Sequence, residues 1–376
     1  SQIPRETAPD GLGIKIPLPR WEGGVGLGDI RMAFMEIGLE LTNDCNLDCL
    51  HCLREKNDTK SFLPISLIKN VLKEAKVYGT IMRVGFTGGE PTLHPDFLGV
   101  IDAVVVLRYP YFFVTNGMNY QRIFPQICEG KTLRRSLLLG VSLSLDGARE
   151  QTHDAIRGKG SFRRAIQAAM YLREKKIPLT IQMVVNKKNA GELEEMAGLA
   201  HGLSAQRLFY APLLPTPQVL ALGLIPSPEE CQKLMEQVND LKERTKVEIH
   251  HSIGWYEPMP FFQCRALQME QINIDFKGRL TFCCNLSHYR GSDGDHTDVI
   301  ADLRKTSLHR ALQLLYKRIA KFNKKKLSLI GTHQMTELDH FPCHFCEKHF
   351  GKLEWMKTRY PDNPWAKGLG KRGQPR

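Results

Sequence analysis

Long apolar runs are what this sequence most clearly lacks. A membrane-spanning helix needs about 20 consecutive apolar residues, whereas the best stretch, Leu98–Leu107, has ten residues and contains Asp102. The N-terminal residues SQIPRETAPDG also lack the apolar core of a signal peptide. We therefore expect a cytoplasmic protein without membrane insertion. Because the cytosol keeps thiols reduced, its ten cysteines are better explained as ligands or core residues than as disulfides.

Acidic residues are absent from one long segment, Leu303 to Thr336. Its nine basic residues account for nine of the twelve net positive charges: Arg304, Lys305, Arg310, Lys317, Arg318, Lys321, Lys324, Lys325 and Lys326. Since the rest of the chain is close to neutral, the charge argues against a protein that coats nucleic acid and indicates one local basic feature. Apolar residues at helical spacing predict an amphipathic helix over Ser307–Phe322, followed by the lysine run.

The 376 residues suggest about two domains. Short β-branched and aromatic runs alternate with helical patterns, which predicts a parallel sheet: Glu36–Thr42, Met82–Thr87, Tyr111–Thr115, Leu139–Leu145, Leu179–Val185 and Gln206–Ala211. We expect an α/β fold, a partial (β/α)6 TIM-like barrel followed by a smaller α+β domain. The predicted divisions are an N-terminal arm at 1–31, the barrel at 32–225 and a C-terminal domain at 226–376, with a Pro-rich linker at the junction.

Three cysteines follow the first predicted strand in the sequence LTNDCNLDCLHC. Cys45, Cys49 and Cys52 lie within eight residues, so one loop can turn all three thiols toward one centre. A structural zinc ion takes four ligands, and His51 or His94 could complete such a site. Three cysteines without a fourth nearby fit a 4Fe–4S cluster that keeps one iron open. Buried structural cysteines are the remaining alternative.

Polar and glycine residues follow the next strands in order. They are Gly88-Gly89-Glu90 after the second, Asn116 after the third, Ser144 and Asp146 after the fourth, Arg157 in the segment HDAIRG, and Asn186 after the fifth. The carboxyl ends of parallel strands share one edge, where the chemistry of such folds is placed. Each motif alone could be a turn or a surface group, but their order along successive strands indicates one site.

The cysteine loop and these motifs resemble the radical S-adenosylmethionine (SAM) family. His51 stands where that family usually has an aromatic residue. The resemblance implies a 4Fe–4S cluster on Cys45, Cys49 and Cys52 whose open iron holds SAM. It also implies SAM contacts from His51, Gly88, Gly89, Glu90, Asn116, Ser144, Asp146, Arg157 and Asn186. The implied activity is reductive cleavage of SAM to a 5′-deoxyadenosyl radical, which abstracts hydrogen from a substrate C–H bond.

A second set of cysteines lies downstream. Cys264 is followed by thirteen residues, Gly278, four residues and Cys283, and a later pair is Cys343 and Cys346. This spacing is similar to the SPASM/twitch module, which implies one auxiliary 4Fe–4S cluster on Cys264, Cys283, Cys343 and Cys346. A zinc site is the alternative. Cys284 should point away, because neighbouring strand residues face opposite sides.

The resemblance implies an oxygen-sensitive enzyme that oxidises or modifies a peptide, a protein or a small metabolite, with the auxiliary cluster as electron acceptor. About 30 residues precede the barrel, so we expect no leader-binding winged domain. The basic segment is either a solvated face, a docking surface for reduced flavodoxin or ferredoxin, or a site for an anionic substrate. The rival hypotheses are a non-catalytic iron–sulfur scaffold or carrier and a zinc-binding interaction protein.

Overall fold

The strands form where the chain has short β-branched and aromatic runs. The computed structural model describes residues 36–55, 59–78, 83–292 and 296–369. Within these ranges the strands are β1 (Glu36–Glu40), β2 (Arg83–Thr87), β3 (Tyr111–Thr115), β4 (Leu138–Ser144), β5 (Leu179–Val185), β6 (Arg207–Pro212), β7 (Glu248–His251), β8 (Gln271–Ile274), β9 (Arg279–Thr281) and β10 (Val299–Asp302). β1 and β2 are buried along most of their length, as expected when helices cover a parallel sheet.

All ten strands belong to one sheet in the order β10-β9-β8-β1-β2-β3-β4-β5-β6-β7. β1 to β7 pair in parallel with their neighbours in chain order, and β8 lies parallel to β1 on its other side. β9 and β10 complete an antiparallel edge. The predicted α/β fold with a parallel core is confirmed. The six predicted barrel strands are present, and β7 extends them; its sequence EIHH is too short and polar to be recognised as a strand.

Helices connect the strands and cover the sheet. They are α1 (Ile65–Tyr78), α2 (Phe97–Val105), α3 (Tyr120–Cys128), α4 (Leu133–Ser136), α5 (Glu150–Arg157), α6 (Ser161–Glu174), α7 (Leu193–Gly202), α8 (Pro217–Ala221), α9 (Pro228–Arg244), α10 (Leu308–Gly331), α11 (Pro342–His349) and α12 (Met356–Arg359). None of the helices in the described ranges is long and apolar enough to cross a membrane.

The Pro-rich stretch predicted as a linker contains a buried helix. In and after α8, Val219, Leu220 and Leu224 are buried in an apolar cluster that also includes Trp355 and Trp365. Strands on both sides of residue 225 belong to the same sheet. The division at 225/226 stays a prediction about independent folding units, and the predicted arm at 1–31 lies outside the described residues.

Helix α10 is longer than the apolar pattern predicts. It begins after Ser307, whose hydroxyl accepts from the Arg310 amide, and it ends at Gly331 rather than at Phe322. Lysine and leucine are good helix formers, so the lysine run continues the helix instead of following it. Lys324 and Lys325 are exposed, whereas Lys326 is completely buried. The basic segment is therefore not one uniform solvated face.

Candidate functional site

The first three cysteines lie in the loop that follows β1, and all three are half-buried. The Cys52 amide donates to the carbonyl of Cys49 at 3.1 Å, and the Leu50 amide donates to the carbonyl of Ile156 at 2.9 Å. Burial raises the pKa of Cys45 to about 12, and the nearby Cys49 and Cys52 thiols add to the effect. Three thiols this close repel one another when ionised, and bound iron would remove that repulsion. The donor set fits an iron–sulfur cluster.

The glycine pair after β2 holds this loop in place. The Gly89 amide donates to the carbonyl of Thr42 at 2.7 Å, and the Glu90 amide donates to that of Asp44 at 2.8 Å. A Cβ on Gly88 would lie 2.5 Å from the Thr42 carbonyl oxygen, and one on Gly89 would lie 2.2 Å from that of Asp44. The two glycines therefore allow the backbone of the cysteine loop to contact the end of β2 directly.

Glu90 is buried between β2 and β3. Its carboxylate accepts from the Thr92 hydroxyl at 2.6 Å, the Thr115 hydroxyl at 2.7 Å and the Asn116 amide at 2.8 Å. Burial raises its pKa, and these hydrogen bonds oppose the change. The sequence did not single out Thr92. Glu90 thus joins the ends of two strands beside the cysteine loop.

Asn116 contacts the cysteine loop directly. Its side-chain amide donates to Asn46 Oδ1 at 2.8 Å and lies 3.9 Å from the Cys45 sulfur. Its Oδ1 accepts from the Met118 amide at 2.9 Å, which sets the orientation of the amide group. The predicted meeting of the β3 end with the cysteine loop is present in the structure.

Asp146, His51 and Arg157 form a buried network beside Cys49. Asp146 Oδ2 lies 2.5 Å from Arg157 Nε and 3.2 Å from His51 Nε2, while its Oδ1 accepts from the Val184 amide at 2.8 Å. Arg157 also points Nη1 at the Cys49 sulfur, 3.9 Å away. Burial tends to raise the pKa of Asp146, but Arg157, His51, the Val184 amide and His153 together more than offset it, so the net shift is downward.

The His51 ring is buried and has one open position. Burial lowers its pKa to about 4 despite the Asp146 carboxylate. Nε2 faces Asp146, whereas Nδ1 has no hydrogen-bond partner among the described residues. A neutral ring that donates through Nε2 leaves Nδ1 as a free acceptor.

Two of the predicted SAM contacts, Ser144 and Asn186, lie outside the hydrogen bonds that join Asp146, His51 and Arg157. Ser144, the last residue of β4, is half-buried and pairs with Gln182 in β5. Asn186 is buried, and its side chain closes a local turn by donating to the Val184 carbonyl at 3.1 Å and accepting from the Lys188 amide at 3.0 Å. Asn189, which the sequence did not single out, donates to the Asp146 carbonyl at 2.8 Å. Asn189 rather than Asn186 therefore links this loop to the network.

The two cysteine groups are joined through a second buried ion pair. Arg54, two residues after Cys52, donates to Glu40 Oε1 at 2.9 Å and to the carbonyl of Ser287. Its backbone pairs with Tyr289 in an isolated β-bridge. Glu40 is completely buried and also accepts from Asn273 at 2.8 Å. The loop after Cys52 is thus bonded to the loop that follows Cys283 and Cys284.

The structure brings the downstream cysteines together. Cys343 and Cys346 are one turn apart in α11, Cys264 precedes β8, and Cys283 follows β9. Burial is the largest cause of the raised pKa values of Cys343 and Cys346, and neighbouring thiols, Cys264 among them, raise both further. Asn285 also donates to the Cys343 sulfur at 3.7 Å. Four thiols fit a fully ligated iron–sulfur cluster. Within the described residues, no group of three His, Cys, Asp or Glu side chains is arranged to hold a single metal ion.

The expectation that Cys284 points away from this group is wrong. β9 ends at Thr281, so the alternation of a strand does not apply at 283 and 284. The Cys284 thiol is hydrogen-bonded to Cys283, which is the main cause of its lowered pKa, and Arg54 lowers it further. It is also close enough to Cys264 to raise that thiol's pKa. Five thiols therefore meet here, with Cys284 on the side that faces Arg54.

The glycine contact with the cysteine loop can be tested by stability. Gly89→Ala should destabilise the protein by about 1–3 kcal/mol, because the methyl group overlaps the Asp44 carbonyl. Gly198→Ala is the matched control: it lies exposed in α7 with open space around it, and alanine should stabilise the helix by up to about 1 kcal/mol. Urea unfolding midpoints measure both changes. Equal effects of the two substitutions would contradict the contact.

Stability should fall as the pH decreases from about 6.5 to about 4. Burial, with Arg157, lowers the pKa of His153 to about 4, so the unfolded chain takes up a proton before the folded one does. The folded ring is neutral, and Nδ1 accepts from the Asp146 amide at 3.1 Å. His153→Asn keeps an acceptor and should reduce the pH dependence by about 1.4 kcal/mol per unit within that window. Urea midpoints from pH 7.5 to 4.5 measure this, and a slope that stays the same in His153→Asn would contradict it.

Comparison with known proteins places this geometry in a family. Residues 39–200 match the Radical SAM superfamily. The chain is 36% identical over 164 residues to mycofactocin maturase MftC of Mycolicibacterium smegmatis, which covers 43% of this chain and 40% of the maturase. It is 30% identical over 177 residues to PqqA peptide cyclase of Gluconobacter oxydans, covering 46% and 48% of the two chains. The alignments therefore span less than half the length of these two relatives.

A solved structure has the same fold. Streptococcus suis SuiB bound to S-adenosylmethionine superimposes with a TM-score of 0.62 at 18% sequence identity, covering 76% of this chain and 68% of SuiB. The family predicted from the cysteine loop and the strand-end motifs is confirmed: over residues 39–200, from β1 to α7, the chain is a radical SAM domain.

Proposed function

We propose that the protein is a radical SAM enzyme that modifies a peptide. The observation that carries this proposal is the convergence of the cysteine loop with Gly89, Glu90, Asn116 and Asp146 at one edge of the sheet. These residues lie inside the segment that matches the family. Two relatives are named as a maturase and a peptide cyclase, which supports a peptide substrate over a small metabolite.

The cofactor site would use the three thiols of Cys45, Cys49 and Cys52. When bound there, a 4Fe–4S cluster supplies one electron for reductive cleavage of SAM, whose 5′-deoxyadenosyl radical abstracts hydrogen from the substrate. The chain's own residues hold and orient the site. Gly88 and Gly89 fix the loop, and Arg157 places a positive charge beside Cys49. His51 offers its free Nδ1 as an acceptor at the position where the family contacts adenine.

The remaining proposed SAM contacts lie at the same edge of the sheet. Glu90, Asn116, Ser144, Asp146 and Asn186 are proposed to line the ribose and methionine side of the site. Glu90 and Asp146 are already bonded to the protein, so we infer that they act mainly by fixing neighbouring backbone groups. Asn116 contacts both the loop and Glu90, which makes it the strand-end residue best placed to transmit a change in bound ligand.

We infer that Cys264, Cys283, Cys343 and Cys346 hold one auxiliary 4Fe–4S cluster in a SPASM/twitch-like C-terminal region. When bound there, the cluster supplies an acceptor for one electron from the substrate. Held by these four thiols, the cluster would take the second electron of a two-electron oxidation that begins with hydrogen abstraction, with the remaining proton released to water. Cys284 adjoins this group as a fifth thiol beside Arg54.

We also infer a reducing compartment such as the cytoplasm, where all ten cysteines remain free thiols. The proposed electron donor is reduced flavodoxin or ferredoxin, which are acidic proteins. The exposed basic residues Lys317 and Lys321 on α10 would meet such a donor.

The proposed reaction predicts specific products. Anaerobic, reconstituted protein should hold about eight iron atoms per chain and should convert SAM to 5′-deoxyadenosine when it is reduced. Cys45→Ala should remove about half of the iron and all of the product. Cys343→Ala should also remove about half of the iron but should still form 5′-deoxyadenosine. Iron analysis and chromatography of the nucleoside measure these outcomes.

The same assay identifies the substrate class. Peptides made in vitro from uniformly deuterated amino acids should transfer deuterium into 5′-deoxyadenosine, and an equal amount of the free deuterated amino acids should not. Iron without any 5′-deoxyadenosine would support the scaffold hypothesis instead. Colourless protein that contains zinc and lacks absorbance near 400 nm would support the zinc-binding hypothesis.

The donor proposal predicts a reduction rate that depends on salt. Reversing charge with Lys317→Glu and Lys321→Glu should slow reduction by photoreduced flavodoxin about tenfold at low salt, since electrostatic attraction raises association rates. The difference should shrink near ~1 M salt, where screening is strong. Lys233→Glu, exposed on α9, is the control and should keep the parent's rate. Stopped-flow absorbance measures the rates, and equal slowing by all three variants would contradict a specific docking surface.

A further inference from the structure

Lys326 is a cation buried where few lysines are found. Its side chain is 0% exposed, although the neighbouring Lys324 and Lys325 are exposed on the same helix. Its Nζ lies 2.7 Å from the centre of the Phe262 ring and 5.5 Å from those of Phe261 and Phe345. Burying an ammonium group costs free energy unless a compensating charge lies close by.

The described protein groups provide little of that compensation. The hydrogen bond of Nζ goes to the carbonyl of Phe262 at 3.3 Å, and no carboxylate within the described ranges forms an ion pair with it. Aromatic faces attract a cation but do not neutralise it. Burial lowers the pKa of Lys326 to about 7, and the thiols of Cys346 and Cys264, when ionised, oppose that shift by favouring the charged amine.

The packing places Lys326 against the segments that carry these two thiols. Phe262 lies two residues before Cys264, and Phe345 immediately precedes Cys346. The lysine therefore lies between the two segments that carry these cysteines. Lys324 and Lys325 are exposed on the same helix, so Lys326 is distinguished by its buried position and not by the general charge of the segment.

We propose that Lys326 is the counter-cation of the auxiliary iron–sulfur cluster and raises its reduction potential. A buried positive charge beside the ligating sulfurs stabilises the more negative, reduced form, and net charge and hydrogen bonds to sulfur are among the factors that set cluster potentials. The inference rests on the proposed auxiliary cluster. Lys326 acts on the reaction only through its charge beside the cluster, and not by contact with the substrate.

The test measures the potential of the auxiliary cluster alone. In the full chain, Cys45, Cys49 and Cys52 are replaced by alanine so that the remaining cluster gives the whole EPR signal. An EPR-monitored redox titration then compares Lys326 with Lys326→Met, which keeps the aliphatic stem. Removing the cation should lower the equilibrium constant for one-electron reduction at least tenfold, a shift of about 59 mV or more to lower potential.

Matched variants separate charge from packing. Lys326→Arg keeps the charge, so its equilibrium constant for reduction should stay within tenfold of the parent's. Lys324 is exposed on α10 two residues before Lys326, and Lys324→Met should leave the potential unchanged. If Lys326→Met and Lys326→Gln both lose the cluster while Lys326→Arg keeps it, the charge is required for assembly and the proposal holds. Loss of the cluster in all three, or an unchanged potential in Lys326→Met, overturns it.

Failure of the proposed function gives a different result. If the triple-alanine parent contains no iron and shows no EPR signal on reduction, the auxiliary cluster itself is absent and the assignment of Cys264, Cys283, Cys343 and Cys346 fails. If the parent contains the cluster and only the lysine substitution has no effect, the cluster assignment stands and the role of Lys326 is wrong.

Discussion

The buried carboxylate of Asp146 is the interaction on which the arrangement of the cysteine loop depends. A charge in this position is stable only because Arg157, His51 and the Val184 amide surround it. Arg157, held in this way, places its second nitrogen beside the Cys49 sulfur. The backbone of Asp146 is engaged as well, since its amide donates to His153 and its carbonyl accepts from Asn189. One residue at the end of β4 therefore positions groups from four other segments.

Other strand ends at this edge are held in a similar way, by bonds to a neighbouring strand end or to the cysteine loop. Glu90 joins the ends of β2 and β3, and Gly89 joins β2 to the cysteine loop. Arg54 and Glu40 extend these contacts to the second cysteine group, because β8 pairs with β1 and brings its following loops alongside. The sheet is continuous across the predicted domain boundary, and this continuity is what brings the two cysteine groups into one assembly.

Much of this could be predicted from sequence because the signals are local. The runs at Tyr111–Thr115 and Leu179–Val185 are strands with the predicted bounds, and their order fixes which loops share an edge. Features that depend on where a segment packs could not be predicted. β7 is four residues of mixed polarity and is a strand only because β6 offers an edge. Cys284 faces the other thiols because β9 stops two residues before Cys283, which spacing does not reveal. The sequence predicts Lys326 to be a surface lysine like its neighbours; it is buried because α10 continues past Phe322 and turns this side chain inward.

The two cysteine groups differ in the charge that the protein places beside them. At the first, Arg157 is already paired with Asp146, so the guanidinium adds little net charge to its surroundings. At the second, Lys326 has no carboxylate ion-pair partner among the described residues; burial lowers its pKa to about 7, and the ionised thiols of Cys346 and Cys264 favour its charged form. Net charge near a cluster is one of the factors that set its potential. An electron would therefore be held more tightly at the second group than at the first. This is the direction required if the first group donates electrons to SAM and the second accepts them from the substrate.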